Sequence, residues 1–314
     1  MPHTFSINGK HIELGQKAKI DLRIAKLPTH TTIDLPVYIY RGEADGPVLL
    51  ISAGLHGDEL NGVEIIRRLI VSKEVNPSVG TILLIPIVNI YGFLNNSRLM
   101  PDGRDLNRSF PGTREGSLAG RIAYTLMNVV MPHVNYGIDF HTGGVNTNYP
   151  QIRCTFDVPR NIELAKAFSP PFIINSRLRE GSFRREAQLI GKTILVYEGG
   201  ESLRFDELVI REGIEGVKRL MSYLGMKSSV FINNRDSIIF KDTTWIRANY
   251  SGLYRPLINY GDKVYKRQTI ATITDPYGEI EYKLRSRSKG YVLGVKTLPI
   301  VNRGDALIHI GIAE

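Results

Sequence analysis

An almost wholly apolar run, Pro47–Ala53, constrains the fold of this chain more than any other stretch. A strand that is apolar on both faces must be covered on both faces, as a central strand of an α/β sheet is. The run leads into a glycine-rich turn over 54–62 and a predicted helix over 60–72. The sequence therefore indicates a strand–turn–helix unit inside a layered fold.

Strands and helices continue to alternate as far as residue 225. This alternation favours an α/β sheet, mostly parallel or mixed, that is flanked by helices. A loop over 89–116, rich in Gly, Asn, Pro and Arg, interrupts it, and loops of that length in compact domains are usually functional. The further buried strands are predicted at 80–88, 135–140, 172–174 and 192–197, and the further helices at 117–130, 161–168, 184–190 and 206–224.

The two ends of the chain show only short strands. A strand-rich leader covers residues 1–46. The tail beyond 225 contains a weak internal repeat. Its first copy has Gly252-Leu-Tyr followed by Asn259-Tyr-Gly-Asp, and its second copy has Gly290-Tyr-Val followed by Asn302-Arg-Gly-Asp. The repeat indicates a small barrel made of two similar halves. We predict a first domain over 1–230 and a C-terminal all-β barrel domain over 231–314.

The composition is that of a globular protein, with 42% hydrophobic and 23% charged residues. No apolar run approaches the ~20 residues of a membrane span, and the N-terminus lacks the features of a signal peptide. The one cysteine, Cys154, cannot form an internal disulfide, which fits a reducing compartment. We expect a cytoplasmic protein with no membrane partner.

The net charge of +9 is spread along the chain without a block of five basic residues. This distribution favours a basic surface, with some arginines committed to an anionic ligand, over a nucleic-acid footprint. We expect no nucleic-acid partner. Three histidines of the leader, His3, His11 and His30, lie far from other candidate ligands, and we expect them to be exposed.

The glycine-rich turn carries His56 and, three residues on, Glu59. A histidine and a carboxylate at this spacing can converge on one divalent metal ion. The glycines at 54, 57 and 62 permit unusual backbone angles at a strand end. The alternative is an ordinary solvated turn.

His141 follows the predicted strand over 135–140, as His56 follows the strand before it. Ligands of open α/β sheets bind beyond the carboxyl ends of the strands, so these ends can meet at one edge. Two histidines and one glutamate leave a fourth coordination position open, which is the catalytic arrangement. The alternative is a core histidine. Asp139 could orient a ligand or cap a buried backbone group.

Glu198 follows the predicted strand over 192–197 and is the candidate general base. A carboxylate beside a metal-bound water can take its proton. The alternatives are a capping or exposed glutamate, and Glu201 competes for the role. The loop over 89–116 adds a set of polar residues, which are Arg98, Arg104, Asp105, Asn107 and Arg108. Such a loop suits a substrate carboxylate, since the guanidinium of arginine binds a carboxylate through two hydrogen bonds. The alternative is an exposed basic loop.

Four motifs, in this order, resemble the succinylglutamate desuccinylase/aspartoacylase family, which is related to the zinc carboxypeptidases. The resemblance covers about residues 40–225. The motifs are Gly54-x-His56-Gly57-Asp58-Glu59; Asn89-x-x-Gly92, then Arg98 and Asp105-Leu106-Asn107-Arg108-x-Phe110-Pro111-Gly112; Asp139-Phe140-His141-Thr142-Gly143; and Glu198-Gly199-Gly200.

This resemblance implies one Zn²⁺ per subunit, held by His56, Glu59 and His141. It implies that Glu198 is the general base that activates zinc-bound water. It also implies that Arg98 polarises the scissile carbonyl and steadies the oxyanion. The expected enzyme is a zinc-dependent amidohydrolase that removes an acetyl- or succinyl-type group from an amino acid.

By the same resemblance, Asn107 and Arg108 hold the substrate carboxylate, and Asp105 hydrogen-bonds to a ligand histidine. The chain departs from aspartoacylase in a longer segment between Arg98 and Asn107, where Arg104 competes for the carbonyl-polarising role. The arginine and tyrosine that recognise the acidic side chain in aspartoacylase have no match here.

Two other functions stay open at this point. A metallocarboxypeptidase that acts on short peptides would use the same residues, and a non-catalytic module could bind acidic metabolites or nucleic acid. The tail resembles the lipoyl/biotinyl-like barrel that follows the catalytic domain in this family. It offers only the turn over 274–278 and no Met-Lys hairpin for modification. We expect it to be a lid or an oligomerisation element of a possible homo-oligomer.

Overall fold

A mixed β-sheet lies at the centre of the protein, with helices on both faces and a smaller sheet of C-terminal strands beside it. The computed structural model describes residues 5–26, 29–227 and 236–313. The predicted α/β fold with a C-terminal all-β part is confirmed. The boundary at 230/231 and His3 lie outside the described residues, and the division into two domains stays a prediction.

The helices lie where the strand–helix alternation predicts them, and the loop over 89–116 contains a short helix of its own. The predicted helix over 117–130 changes to a π turn at Leu126–Val130 and a 3-10 turn at Met131–His133. The helices are α1 (Asn61–Ser72), α2 (Ile90–Leu94), α3 (Leu118–Thr125), α4 (Pro159–Phe168), α5 (Phe183–Leu189) and α6 (Glu207–Tyr223), with a 3-10 turn at Leu106–Arg108.

The strands fall into a hairpin, the main sheet and the small C-terminal sheet. They are β1 (Phe5–Ile7), β2 (Lys10–Ile12), β3 (Lys17–Lys26), β4 (Thr32–Arg41), β5 (Ala44–Ser52), β6 (Val79–Ile85), β7 (Tyr136–His141), β8 (Asn146–Cys154), β9 (Phe172–Asn175), β10 (Thr193–Gly200), β11 (Ile238–Phe240), β12 (Thr243–Arg247), β13 (Gly252–Pro256), β14 (Lys263–Val264), β15 (Thr269–Thr274), β16 (Glu281–Arg285), β17 (Gly290–Lys296), β18 (Ile300–Val301) and β19 (Ala306–Ile312).

The main sheet runs in the order β12-β19-β17-β8-β10-β7-β5-β6-β4-β3. Its four central strands, β10, β7, β5 and β6, are parallel, and the strands beyond them on this path pair antiparallel. Parallel strands bring their carboxyl ends to one edge, which is where the predicted site residues lie.

The central strand β5 is covered on both faces, as its composition predicts. Leu50 belongs to a core with α3 and α5, whereas Leu49 and Ile51 belong to a core with α1, α4 and α6. All three side chains are fully buried. Successive residues of a strand point to opposite faces, so the apolar run supplies both cores at once.

Strand β8 corrects the sequence-based account, which placed no strand between His141 and the helix at 161–168. It runs antiparallel to β10 and extends that strand's pairing to Gly200. Glu198 therefore lies inside β10, and His141 is the last residue of β7. The expectation that both residues directly follow their strands was wrong, because pairing with neighbouring strands keeps the backbone extended one to three residues further.

The C-terminal strands join the main sheet at two places, since β17 pairs with β8 and β11 pairs in parallel with β9. Strands β13, β15, β16 and β18 form the second sheet, and one apolar core lies between it and the extension of the main sheet. The internal repeat corresponds to two turns with the same hydrogen bond. The backbone N–H of Asn259 donates to Asp262 Oδ2 at 2.8 Å, and that of Asn302 donates to Asp305 Oδ2 at 3.1 Å.

No helix within the described ranges combines the length and the apolar character needed to cross a lipid bilayer. His11 and His30 are exposed, as predicted.

Candidate metal centre and active-site cavity

The carboxylate of Glu59 lies between the rings of His56 and His141. Its Oε1 atom is 2.8 Å from His56 Nδ1, and its Oε2 atom is 2.9 Å from His141 Nδ1. All three side chains are buried, and each can offer one ligand atom such that these atoms lie within 4.8 Å of one another. The structure thus brings the three predicted metal ligands together in a group that could hold one ion.

The tight turn before α1 allows this convergence because of Gly57. A Cβ atom there would lie 1.8 Å from the carbonyl carbon of Gly92 in α2, a distance no side chain permits. The N–H of Gly57 donates to the carbonyl of Ser97 at 3.1 Å. The turn is therefore packed against α2, which holds His56 and Glu59 at the strand edge.

Each histidine uses its second ring nitrogen on another carboxylate. His56 Nε2 is 3.2 Å from Asp105 Oδ1, and His141 Nε2 is 2.7 Å from Asp139 Oδ2. The hydroxyl of Ser52 donates to the other oxygen of Asp139 at 2.8 Å. Carboxylates in this position orient metal-binding histidines and fix their tautomers. Asp105 lies where it was predicted, and of the two roles open for Asp139, it contacts a histidine.

The electrostatics of this group suit a cation. Burial alone would lower the pKa of both histidines, but the charges of Glu59, Asp105 and Asp139 and their hydrogen bonds raise the pKa of His56 and, more strongly, that of His141. Burial alone would raise the pKa of Glu59, but the two histidines hold it well below its usual value. The carboxylates around the two histidines therefore favour positive charge at this place, which a divalent cation would supply.

Arg98 and Arg104 competed for one role, and only Arg98 reaches the site. Its Nη2 atom donates to Asp105 Oδ2 at 2.9 Å, and its Nη1 atom lies 3.4 Å from Glu59 Oε1. The side chain of Arg104 is 64% exposed and contacts Asp102. The longer segment before Asn107 thus carries Arg104 away from the cavity.

A cavity of about 350 Å³ opens beside the histidine–glutamate group. Its lining combines predicted residues with residues of the turn after β7, of β8, of α5 and the segment before it, of β10 and of β12. The lining residues are His56, Glu59, Arg98, Asn107, Arg108, His141, Thr142, Gly143, Gly144, Asn146, Asn148, Arg153, Ser176, Arg179, Ser182, Arg184, Val196, Glu198 and Trp245.

Glu198 lies in this cavity on the strand next to the metal group, because its backbone partner in β7 is His141. Both of its carboxylate oxygens have a partner. Oε2 accepts a hydrogen bond from Asn148 Nδ2 at 3.1 Å, and Oε1 is 3.2 Å from Arg153 Nη1. Its competitor Glu201 pairs with Arg204 and does not line the cavity.

Asn107 and Arg108 also line the cavity, on the 3-10 turn that follows Asp105. The side-chain oxygen of Asn107 accepts a hydrogen bond from the N–H of Phe183 at 3.0 Å. Among the residues that the structure describes, no hydrogen bond engages its amide nitrogen. Arg108 donates to the carbonyl of Asn107, and no other described residue accepts a hydrogen bond from its guanidinium.

Sequence reasoning missed the residues that β8 contributes to the lining, which are Asn146, Asn148 and Arg153. The sequence does contain a signal for this strand, because apolar Ile152 and Cys154 alternate with polar Gln151 and Arg153. In the structure, Ile152 and Cys154 face a core. That alternation is typical of a half-buried strand. Arg179, Arg184 and Trp245 had no comparable signal, because only long-range packing brings them to the cavity.

The sequence profile of the succinylglutamate desuccinylase/aspartoacylase catalytic domain matches residues 45–224. The N-alpha-acetyl-L-2,4-diaminobutyric acid deacetylase of Halomonas elongata is 26% identical over an alignment 294 residues long, and the match covers 88% of this chain and 85% of that protein.

Two solved structures show the same fold. The product-bound ectoine utilization protein EutE of Ruegeria pomeroyi superposes with a TM-score of 0.84 at 20% identity, over 96% of this chain and 97% of the other. A succinylglutamate desuccinylase/aspartoacylase from Rhodobacter sphaeroides gives 0.83 at 23% identity, over 96% and 98%.

Proposed function

The chain belongs to the succinylglutamate desuccinylase/aspartoacylase family, and we propose that it is a zinc-dependent amidohydrolase that removes an N-acyl group from an amino acid. The observation that carries the proposal is the shared cavity. It holds the buried His56–Glu59–His141 group and, on the neighbouring strand, the carboxylate of Glu198. A binding module would need the first but not the second.

His56, Glu59 and His141 are the residues that would hold the metal. Three protein ligands of this kind, each histidine backed by a carboxylate, are the donor set of catalytic zinc sites. When bound, zinc lowers the pKa of water toward ~7 and polarises a carbonyl as a Lewis acid.

Glu198 is the group that would accept a proton from the attacking water and pass it to the leaving amine. Its side chain is 14% exposed, so it is largely shielded yet open to the cavity. Asn148 and Arg153 hold its two oxygens. A carboxylate fixed in this way keeps one geometry through both proton transfers, which favours the reaction.

Arg98, Asn107 and Arg108 would bind the substrate. Arg98 sits closest to the metal group, where a guanidinium can stabilise charge that develops on a carbonyl oxygen. Arg108 and the amide nitrogen of Asn107 line the cavity, where they suit a carboxylate of the amino-acid half.

The cavity holds more cationic side chains than one carboxylate needs. Within the described ranges, no carboxylate lies at ion-pair distance from Arg108, Arg179 or Arg184. Burial and then the charges of Arg153 and Arg179 lower the pKa of Arg184 to about 10, and burial with the charges of Arg179 and Arg98 lowers that of Arg108. Arg184 already donates to the backbone carbonyls of Arg153, Ser176 and Arg177. Arg108 and Arg179 are therefore the cations that a second substrate anion would pair with, and we propose on this ground an acyl group of the succinyl type over the acetyl type.

The test is a hydrolysis panel. N-acetyl-, N-succinyl- and N-formyl-amino acids would be assayed beside dipeptides, with added zinc and after chelation. We expect zinc-dependent release of free amino acid, fastest from succinyl substrates that carry two carboxylates. Faster cleavage of dipeptides would make the protein a metallocarboxypeptidase, and no hydrolysis in any arm would contradict the proposal.

The remaining features are proposals of the same kind. We propose a cytoplasmic enzyme in which residues 1–230 supply the metal group and the base. Trp245 of β12 lines the cavity, which supports a role for the C-terminal strands in the site. A homo-oligomer stays a prediction.

A further inference from the structure

We infer that the C-terminal strands position the base: Gly294 of β17 leaves the space in which Asn148 holds Glu198. This inference rests on the proposed function, in which Glu198 is the base. It makes Asn148 and Gly294 positioning residues of the reaction and gives the C-terminal strands a defined task.

Asn148 is buried and hydrogen-bonds to the carboxylate of Glu198. Asn148 is 3% exposed, and its Nδ2 atom donates to Glu198 Oε2 at 3.1 Å. Arg153 holds the other oxygen. A buried amide that loses this acceptor has few other partners, so the pair fixes both side chains. Without Asn148, the carboxylate would keep one anchor and could rotate about it.

A bulge in β8 turns Asn148 toward Glu198. Gln151 pairs with Glu198 and Asn148 pairs with Gly200, so β8 has two residues where β10 has one. In a regular strand, Asn148 would point to the opposite face from Gln151, because they are three residues apart. The extra residue restores it to the face of Glu198, as the hydrogen bond shows. Pro150, which cannot donate to a ladder, lies in the bulge, where proline is tolerated.

Two glycines leave the room that Asn148 occupies. Gly294 is its backbone partner in β17, and a Cβ atom at 294 would lie 2.2 Å from Asn148 Oδ1. A Cβ atom at Gly143 would lie 2.2 Å from the carbonyl oxygen of Asn146 and 3.0 Å from Asn148 Cγ. Gly294 also closes a second bulge, since β17 has one residue more than β19 between its pairs with Ile310 and His309. A side chain at 294 would therefore displace the amide that holds Glu198.

The experiment compares Gly294→Ala, Asn148→Ala and the double variant on the best substrate of the hydrolysis panel. Misplacement of a catalytic group by about 1 Å can cost on the order of 100-fold in rate. We expect each single variant to lower kcat by about 10- to 100-fold, with KM and bound zinc unchanged. The double variant should be no slower than Asn148→Ala, because alanine at 148 removes the atom that the new methyl group meets.

Gly311→Ala is the matched control. Gly311 lies in the same extension of the sheet, and its added Cβ would meet the ring of Phe240 at 2.7 Å, outside the cavity lining. It should lower the melting temperature without lowering kcat. If Gly294→Ala fails to fold, Asn148→Ala tests the hydrogen bond alone, and refolding in the double variant would show that the clash at Asn148 was the cause.

The inference would be overturned if Gly294→Ala kept the kcat of the wild type. It would also be overturned if Gly294→Ala lowered kcat by the same factor in the Asn148→Ala variant as in the wild type. If the wild type hydrolyses nothing, the proposed function fails separately. Crystal structures of the wild type and Gly294→Ala would then decide the point. An unchanged distance between Asn148 and Glu198 would contradict the positioning role of Gly294, and a broken hydrogen bond would support it.

Discussion

The group of His56, Glu59 and His141 at the strand ends (the strand-end group) and the C-terminal strands both contain buried histidines, but the surroundings of these histidines are opposite. His56, His141 and His309 are 3%, 5% and 7% exposed. The first two have a carboxylate at each ring nitrogen. His309 stacks on Trp245 with ring centroids 4.4 Å apart, and its Nδ1 atom has no hydrogen-bond partner among the described residues.

The pKa values separate in the same way. Those of His56 and His141 are raised by their carboxylates against the effect of burial. Burial, and then the charge of Arg153, lowers the pKa of His309 to about 3. Burial is therefore no sign of a metal ligand. The surrounding carboxylates distinguish a histidine that can hold a cation from one that fills a core.

Glu59→Gln should break the strand-end group and give the largest effect. The amide keeps the shape but removes the charge that both histidines share. Loss of a carboxylate that only hydrogen-bonds to a ligand histidine costs up to roughly 100-fold in metal affinity or activity. We expect the zinc content and the initial rate of Glu59→Gln to fall by more than that factor. His309→Phe is the control and should retain zinc. Full zinc content and activity in Glu59→Gln would contradict the ligand assignment.

Asp139→Asn removes only an outer carboxylate, so its effect should be smaller. Zinc affinity, measured by competition with a chelator, should fall roughly 10- to 100-fold. Ser52→Ala, which removes a hydrogen bond to the other oxygen of Asp139, should weaken zinc less. Unchanged affinity in both variants would mean that Asp139 caps the sheet and does not support His141.

Replacement of His309 should give the smallest effect, which is a change in how the free energy of unfolding depends on pH. Its folded-state pKa of about 3 lies below the usual 6.5, so between these values the unfolded chain binds more protons. Stability then falls as the pH falls. Since one pKa unit corresponds to ~1.36 kcal/mol, His309 should lower the free energy of unfolding by about 2 kcal/mol when the pH falls from 7 to 5.

Denaturant unfolding of the wild type and His309→Phe at both pH values isolates this contribution. Phenylalanine preserves a ring against Trp245 and cannot take up a proton. The variant should therefore lose about 2 kcal/mol less than the wild type over this range. An equal loss would show that His309 is protonated in the folded protein.

The sequence could predict that His56, Glu59 and His141 converge, because each part of this group has a local signal. His56 and Glu59 share one turn, and the apolar run before them marks a central strand. The end of β7 carries His141 by the same rule. Parallel strands then bring these ends together without any need to know the side-chain packing.

The other wall of the cavity could not be predicted in this way. Asn148 reaches Glu198 only because of a bulge, and its partner Gly294 lies far along the chain. Trp245 comes to the cavity through the pairing of β12 with β19 and of β19 with β17. Such positions depend on the register between distant strands, which no single stretch of sequence specifies.

Glu198→Gln tests the central claim most directly, because it keeps the shape of the base but removes its ability to take a proton. Zinc content and hydrolysis of the best N-acyl amino acid would be measured on the same preparation. We predict that zinc stays at the wild-type level and that hydrolysis is lost. Wild-type hydrolysis by the zinc-loaded variant would contradict the assignment of Glu198 as the base of a zinc-dependent deacylase.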